Sequence, residues 1–320
     1  MSRSKCCMAI YRTFLQVTCV RHSCLALSEV SPVEMSHDSA SRWLQSQNFR
    51  PHEVWKIARK NIDPHEPGLL VVDDTVLDKN RSKEIDLVHR QYSGNEHGII
   101  SGIGLVNLVY YGFKSNQLIP IDYRVNNKDD DGKTKNDHCR EMLKLAKKRL
   151  PAVTTVAMDA WYSSLGNLKA IRELGMTWVA GLKKNRRVNK KEVLEKLQVP
   201  EEGLRLHLRG YGWITVFRFV AKNGRTDYIG TNMENPSRDS IEKIFRSRWE
   251  VEVYHRELKQ TCGIERCRAR TGRAQRNHIF LAIAAWFEKH MRRCLEGVTL
   301  YHQQWNVIKP AIATQMRLAM

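Results

Sequence analysis

The 320-residue sequence predicts an α/β fold, with a mixed sheet flanked by helices. Short β-branched runs, such as residues 69–72, alternate with segments whose apolar residues recur at helical spacing. Across residues 183–235, alternating apolar residues lie between turn signals, which indicates an all-β insertion ahead of a late helix. A small helical N-terminal region, within residues 1–60, is expected to precede the sheet.

The N-terminal region has the outline of a helix-turn-helix. Ser31-Pro32 breaks the helical pattern, and Ser36 can cap the helix that follows. Such a motif places its second helix on DNA, where Arg42 would be free to make contact. A plain helical hairpin is the alternative interpretation. Prolines within residues 61–67 mark a linker to the next domain.

The main domain is expected to span residues 65–295. Its predicted strands lie between turn residues, at 69–72, 104–111, 117–125, 153–158 and 177–182. Its first predicted helices are 137–150, which Pro151 ends, and 163–174, which Gly175 closes. The insertion supplies strands at 204–207, 213–220 and 227–230. Long helices are predicted at 237–262 and 278–295, and residues 296–320 are left as a C-terminal tail.

Charge is the least ordinary property of the composition. The 53 Lys and Arg residues against 34 Asp and Glu give a net charge of +19 and a pI near 9.7. Such an excess predicts a polyanionic partner, usually nucleic acid. A membrane partner is not expected, because no segment offers the roughly 20 apolar residues of a spanning helix. Arg12 and Arg21 interrupt any secretory apolar run, so a cytoplasmic location is expected.

The eight cysteines indicate neither a disulfide framework nor a zinc site. A reducing compartment disfavours disulfides. Cys19 with Cys24, and Cys262 with Cys267, have the widest spacing seen for zinc ligands, and neither pair has a second Cys/His pair at a suitable distance.

The late helix carries a carboxylate between cations on one face. At about 100° per residue, Phe245, Arg248, Glu252 and Lys259 fall within an arc of roughly 60°. The plain interpretation is a salt-bridged solvent face, which is worth a few tenths of a kcal/mol.

Further carboxylates favour a site over that interpretation. Asp74 follows the strand predicted at 69–72, and Asp159 follows the strand at 153–158. Side chains at the ends of sheet strands escape the core while their backbone stays rigid, so active sites gather there. Together with Glu252, these acids form the oxygen-ligand set that a pair of divalent cations needs at a phosphodiester.

With these residues in place, the chain resembles DDE transposases of bacterial insertion sequences, which have an RNase H-like catalytic domain. That family has a late-helix signature of Tyr-x2-Arg-x3-Glu-x6-Lys, and this chain has Phe245-x2-Arg248-x3-Glu252-x6-Lys259. Its first acid follows a strand and precedes a hydroxyl residue, as in Val71-Val-Asp-Asp74-Thr75. Its second acid ends another strand, as in Met158-Asp159-Ala-Trp-Tyr162. The resemblance covers about residues 65–295, including the β-rich insertion.

The chain departs from the family pattern at the first signature position and at the first acid. Phe245 lacks the hydroxyl with which the family's Tyr can contact a phosphate. Asp73 and Asp74 are adjacent, and successive strand residues point to opposite faces, so one of them is expected to face the metals. The hydroxyl of Thr75 favours Asp74 and leaves Asp73 as the alternative.

The resemblance implies a transposase that binds the terminal inverted repeats of its element, cleaves phosphodiesters and joins 3′-OH ends to target DNA. Asp74, Asp159 and Glu252 would hold two Mg²⁺ or Mn²⁺ ions. The expected DNA contacts are Phe245, Arg248 and Lys259 on the late helix, the basic run Lys183, Lys184, Arg186 and Arg187, and Arg42 in the N-terminal region. Trp161, Trp213 and Tyr211 are candidates for stacking on an unpaired base.

The resemblance also implies a homodimer when two DNA ends are paired, located in the cytoplasm at the nucleoid. Two other functions remain open from the sequence. One is a non-catalytic DNA-binding repressor derived from a transposase. The other is a metal-dependent nuclease without strand transfer.

Overall fold

The structure, a computed structural model, describes residues 5–82, 84–94 and 96–319. Its helices are α1 (Met8–Val17), α2 (Cys24–Val30), α3 (His37–Ser46), α4 (His52–Ala58), α5 (Lys128–Asp131), α6 (Lys135–Arg149), α7 (Leu165–Glu173), α8 (Arg238–Ser247), α9 (Trp249–Thr261), α10 (Gly272–Glu296) and α11 (Leu300–Leu318). Its strands are β1 (Gly68–Asp78), β2 (His89–Ser93), β3 (Gly98–Gly112), β4 (Leu118–Asn126), β5 (Thr155–Met158), β6 (Thr177–Leu182), β7 (Arg187–Val188), β8 (Glu192–Val193), β9 (Leu204–Leu208), β10 (Gly212–Val220) and β11 (Thr226–Thr231). Residues 1–4 of the predicted N-terminal region and residue 320 of the predicted tail lie outside the described residues.

A mixed sheet organises the strands. Within the described chain, nine strands form it in the order β2-β3-β1-β5-β6-β11-β10-β9, with β4 paired to β3. β5 pairs in parallel with both β1 and β6. The α/β class and the mixed sheet flanked by helices are therefore confirmed.

The predicted β-rich insertion extends this sheet. β11 pairs antiparallel with β6, with Tyr228 opposite Leu182 and Thr231 opposite Val179. β10 and β9 continue the antiparallel pairing outward. The added strands give β6 a hydrogen-bonded neighbour on its far side, where it would otherwise present an unpaired edge.

Strand β1 is longer than the predicted run of residues 69–72. It extends to Asp78, so Asp73 and Asp74 lie within the strand and do not follow it. The prediction ended where the apolar run is interrupted by charge. The strand continues because Val76 and Leu77, which follow the two aspartates, are again buried.

The late helix predicted over residues 237–262 is divided in the structure. α8 ends at Ser247, and α9 begins at Trp249. At the break, the Val251 backbone N–H donates to the Arg248 carbonyl three residues back, at 3.1 Å, in place of the α-helical i to i−4 bond. Arg248 is the residue between the two helices, and it is 6% exposed.

The N-terminal helices follow the predicted break and cap. Ser36 Oγ accepts a hydrogen bond from the Ser39 backbone N–H at 3.2 Å, which confirms the predicted start of α3. α4 lies within the helical region predicted for residues 1–60, although it was not predicted as a separate helix. α11 occupies the segment left as a tail, and Thr299 caps it.

The described chain divides into two compact units. The helical unit comprises Met1–Ala58, Thr75–Leu105 and Val253–Met320, and the sheet unit comprises Arg59–Asp74 and Val106–Glu252. In the helical unit, α10 packs against α1, α3, α4 and α11. In the sheet unit, a cluster of buried apolar side chains joins strands and α8 through Val179, Phe217, Ile229 and Ile241.

None of the described helices combines the length and apolar composition that a membrane crossing requires. All eight cysteines are free thiols in the part of the chain that the structure describes. Cys262 and Cys267, one of the two pairs considered as zinc ligands, are both buried in the helical unit.

His278 on α10 is held neutral inside the helical unit. Its Nε2 lies 3.0 Å from the Gly263 carbonyl, which only accepts, so Nε2 carries the proton. Its Nδ1 then accepts a hydrogen bond from the Tyr11 hydroxyl at 3.0 Å. Burial lowers the pKa of His278 to about 3.

We expect His278→Gln to lower the free energy of unfolding by about 1–3 kcal/mol at pH 7.5, because buried hydrogen-bonding groups lose their partners. The deficit should shrink towards pH 4.5. With a folded-state pKa near 3, the wild-type histidine contributes stability that is lost as the pH falls below the unfolded value of 6.5. Thermal unfolding across this pH range measures the effect. His302→Gln, on an exposed histidine, is the control, and a deficit that stays constant with pH would contradict the assignment.

Candidate active site

Three aspartates lie where β5 ends beside the middle of its parallel neighbour β1. Val72 of β1 is opposite Met158 of β5. The next residue on each chain is an aspartate, Asp73 on one and Asp159 on the other. Parallel pairing keeps the two chains in step, so the register carries these side chains to the same edge of the sheet.

Asp73 is a carboxylate in an unfavourable environment. Its side chain is 14% exposed, and its Oδ1 accepts a hydrogen bond from the Asp74 backbone N–H at 2.9 Å. Burial raises the pKa of Asp73 well above its ordinary value, and the negative charges of Asp159 and Asp74 raise it further. A nearby cation would lower the pKa of Asp73 and so favour its ionised form.

Asp159 is fixed by a turn of the backbone after β5. Its Oδ1 accepts hydrogen bonds from the backbone N–H groups of Trp161 and Tyr162 at 3.0 and 3.1 Å. Burial raises the pKa of Asp159, the bond from Tyr162 opposes that rise, and repulsion by Asp74 adds to it. The turn thus orients a carboxylate whose charge is only partly compensated.

Asp74 differs from its neighbour because protein donors engage both of its oxygens. Lys135 Nζ donates to Oδ2 at 2.7 Å, and the Tyr162 hydroxyl donates to Oδ1 at 2.9 Å. Lys135 is the first residue of α6, whose start is fixed by a capping box between Thr134 and Asp137. A cation and a hydroxyl therefore hold Asp74 in place.

Arg248 is a buried cation between acids. Its NH1 donates to Glu252 Oε1 at 3.1 Å and lies 4.0 Å from Asp73 Oδ2. Its guanidinium carbon lies 5.1 Å from the ring centre of Phe245 and 5.2 Å from that of Trp249. The charge of Arg248 lowers the pKa of both Asp73 and Asp159 against the larger effect of burial. Arg248 therefore stabilises the ionised acids from within the protein.

The side chains of Asp73 and Asp159 offer donor atoms of the kind that a divalent cation binds. Carboxylate oxygens are the ligands that Mg²⁺ and Mn²⁺ prefer. Burial, and then repulsion from neighbouring carboxylates, raises the pKa values of Asp73 and Asp159, and a bound cation would oppose that rise. Glu252, whose side chain is 41% exposed, is directed to Arg248. Over residues 5–82, 84–94 and 96–319, no group of three or more His, Cys, Asp or Glu side chains is arranged to hold an ion in this conformation.

The predicted DNA contacts differ in accessibility. Those with exposed side chains are Lys183, Lys184, Arg187, Trp161 and Arg42. Arg186 is half-buried and donates to the Ser163 carbonyl at 3.2 Å. Phe245 packs against the apolar cluster of the sheet unit. The roles of all these residues in DNA binding stay predictions.

The aromatic stacking candidates separate by exposure. Trp161 and Trp213 are 46% and 59% exposed. Tyr211 is buried, and its hydroxyl accepts a hydrogen bond from Trp178 Nε1 at 2.8 Å. Its side chain belongs to the core of the sheet unit, so the suggestion that Tyr211 stacks on a base is wrong for this conformation.

Lys259 has a structural role that its position on the charged face of the predicted late helix did not indicate. Its Nζ donates to the Val76 carbonyl at 2.7 Å and lies 3.4 Å from Glu265 Oε2. With 17% of the side chain exposed, these contacts connect α9 to the later part of β1. Contact between Lys259 and a phosphate stays a prediction.

Comparison with known families gives the decisive observation. Residues 64–287 match the family model of the transposase DDE domain, which spans more than half of the chain. The chain belongs to the DDE transposase family. The resemblance drawn from the Arg248, Glu252 and Lys259 spacing is thus confirmed, and transposases of this family use divalent metal ions.

A solved transposase structure agrees at the level of the fold. The chain is similar to a piggyBac transposase in a synaptic complex with hairpin DNA, with a TM-score of 0.54 at 14% identity, covering 98% of this chain and 71% of that one. Endonuclease V from Ciona intestinalis aligns with a TM-score of 0.32 at 9% identity, covering 66% of this chain and 86% of that one. Human endonuclease V gives 0.31 at 14% identity, with coverages of 79% and 98%. No match was found among curated protein sequences.

Sequence reasoning missed Lys135 and underrated Asp73. Lys135 carries no motif, and its proximity to Asp74 depends on where α6 begins. A signal for Asp73 was present, because Asp73 and Asp159 each directly follow a run of apolar residues. Only the register of β1 with β5 turns that similarity into a contact.

We expect Arg248→Met to lower the free energy of unfolding of this transposase-family chain by about 3 kcal/mol at pH 8, since it removes one partner of a buried ion pair. Acids with raised folded-state pKa values destabilise the fold as the pH rises through those values. Removal of Arg248 raises the pKa values of Asp73 and Asp159 further, so the deficit should shrink as the pH falls towards 5.

The control is Arg246→Met, two residues away. Arg246 is exposed and paired with Glu242, so its loss should cost about 0–1 kcal/mol. Thermal or urea unfolding at pH 5 and pH 8 measures both variants. Equal small losses, or a deficit for Arg248→Met that does not depend on pH, would refute the role of Arg248 as an internal counter-charge.

Proposed function

We propose that the chain is a metal-dependent DNA transposase that binds the terminal inverted repeats of its element, cleaves their phosphodiesters and joins 3′-OH ends to target DNA. The observation that carries this proposal is the alignment of Asp73 with Asp159 on adjacent parallel strands, with Glu252 linked to Asp73 through Arg248. Family membership supports the reaction class. The net charge of +19 supports a nucleic-acid substrate.

Two divalent ions, Mg²⁺ or Mn²⁺, would be held by Asp159, Glu252 and one member of the Asp73–Asp74 pair. The sequence favoured Asp74. Two features support Asp73 instead: its register with Asp159, and the engagement of both Asp74 oxygens by Lys135 and Tyr162. Bound ions would supply Lewis-acid stabilisation of the attacking and leaving oxygens.

The protein's own groups prepare this site. The Asp159 turn and the hydrogen bonds on Asp74 fix carboxylate positions before any ligand arrives. Arg248 partly compensates the charges of Asp73 and Glu252 in the conformation described, and a bound cation would add to that compensation. Trp161 lies beside this cluster, with the Lys135 ammonium 5.7 Å from its ring centre, and it is placed to contact an unpaired base.

DNA recognition is assigned to other residues. The helices of region 1–60, with Arg42 exposed on α3, are proposed to distinguish element ends from other DNA. Lys183, Lys184 and Arg187 are proposed to contact the phosphate backbone. Pairing of two DNA ends would require a homodimer in the synaptic complex.

We expect Asp159→Asn and Glu252→Gln each to reduce cleavage on the order of 100-fold or more, because each removes a ligand charge with little change in shape. The substrate is a plasmid that carries the DNA flanking the coding sequence on both sides, incubated with Mg²⁺ or Mn²⁺. Binding to this DNA should persist in both variants. Asp227→Asn and Glu242→Gln, at half-buried acids that are ion-paired away from the site, are controls that should keep activity.

Asp73→Asn and Asp74→Asn decide the first ligand. If Asp73 is the ligand, Asp73→Asn should match Asp159→Asn, and Asp74→Asn should retain measurable cleavage. The reverse result would restore Asp74. Cleavage without joined products would favour the nuclease alternative, and DNA binding without metal-dependent cleavage would favour the repressor.

A further inference from the structure

A row of arginines follows α9 in the helical unit, where the candidate site has no residue. Residues 265–271 run between α9 and α10 without regular structure, and Arg266, Arg268 and Arg270 occur at every second position. Cys267 between them is buried, while the three arginines are exposed. Alternation with a period of two is the pattern of an extended chain with one buried side, so the guanidinium groups share the solvent side.

This segment is anchored by an internal cation. Lys79, which is 4% exposed, donates through Nζ to the carbonyls of Glu265 and Cys267, both at 2.7 Å. Gln275 Nε2 adds hydrogen bonds to the carbonyls of Cys267 and Ala269 at 3.2 and 2.6 Å. The backbone carrying the arginines is therefore fixed before any ligand binds, which reduces the entropy lost on binding.

The anchored segment forms one wall of a cleft of about 360 Å³. The opposite wall is the turn that follows β1, from Asp78 to Ser82, which includes Arg81. That turn is held by the Asn80 backbone N–H, which donates to Asp78 Oδ1 at 2.7 Å, and by Asn80 Oδ1, which accepts from the Ser101 N–H at 2.8 Å. Hydrogen bonds to the rest of the unit therefore hold both walls.

Among the described residues, the acids of the cleft have bonding partners, whereas three of its arginines have no ion pair. Glu265 lies 3.4 Å from Lys259 and accepts from the Asp78 backbone N–H at 3.4 Å, and Asp78 accepts from Asn80. Arg81, Arg266 and Arg268 take part in no ion pair among residues 5–82, 84–94 and 96–319. A surface that used its arginines for stability would pair them with these acids. The cleft instead presents unpaired guanidinium groups around occupied carboxylates.

We propose that this arginine cleft, formed by Arg81, Arg266 and Arg268, binds phosphates of the duplex DNA backbone. Guanidinium groups donate in a planar fork that matches two phosphate oxygens, and contacts of this kind position DNA without reading its sequence. The site rests on the proposed action on DNA. Its residues are distinct from the candidate metal ligands, so its contribution is measurable without metal.

The test is metal-free binding of a duplex of random sequence by fluorescence anisotropy, in EDTA and at several KCl concentrations. For Arg266→Ala/Arg268→Ala we expect weaker binding and a slope of log affinity against log salt that is smaller by about two. Arg268→Lys keeps the charge and should keep most of the slope. The matched control is Arg225→Ala/Arg246→Ala, which removes the same charge from arginines already paired with Asp227 and Glu242.

A slope in the double variant equal to that of the wild type, or equal to that of the control, overturns the cleft as a phosphate site while the proposed function stands. Wild-type protein without metal-independent affinity for duplex DNA overturns both. Circular dichroism of each variant shows whether the fold is retained. Arg81→Ala, on the opposite wall, supplies an independent variant that should also lower the slope, by about one.

Discussion

The site depends on the parallel pairing of β1 with β5. Because Val72 is level with Met158, the residues after them bring carboxylates to one edge of the sheet, where burial raises the pKa of Asp73 and of Asp159. Like charges in such a place are costly unless cations compensate them. Lys135 and Arg248 provide that compensation from α6 and from the break between α8 and α9. Cations on two other elements therefore reduce the electrostatic cost of placing these acids together.

The sequence predicted those parts of the fold that depend on local pattern. Thr177–Leu182 was predicted to the residue, since an apolar β-branched run between turn residues has one plausible conformation. The Ser36 cap was also predictable, because its donor lies only three residues away. The family emerged from the spacing of Arg248, Glu252 and Lys259, which requires no tertiary information.

The parts that escaped prediction depend on contacts between distant segments. The extent of β1 past Val72 depends on pairing partners and on the burial of Val76 and Leu77, which the charged pair Asp73-Asp74 conceals. The break at Arg248 falls in a segment with good helical periodicity, so periodicity alone predicts one continuous helix. The contact between Lys135 and Asp74 joins residues 61 positions apart and has no sequence signature.

The cations of this part of the chain are of two kinds, buried lysines such as Lys79 and exposed arginines. Lys79 and Lys289 are buried and donate to backbone carbonyls, and burial lowers the pKa of each amine. The arginines between α9 and α10 face outward. Lys79 and Lys289 therefore count towards the net charge of the sequence, but their ammonium groups face carbonyls inside the protein and not the solvent. Acetylation requires an accessible lysine amine. It would therefore not reach buried Lys79, and it would leave the arginines that Lys79 holds in place unmodified.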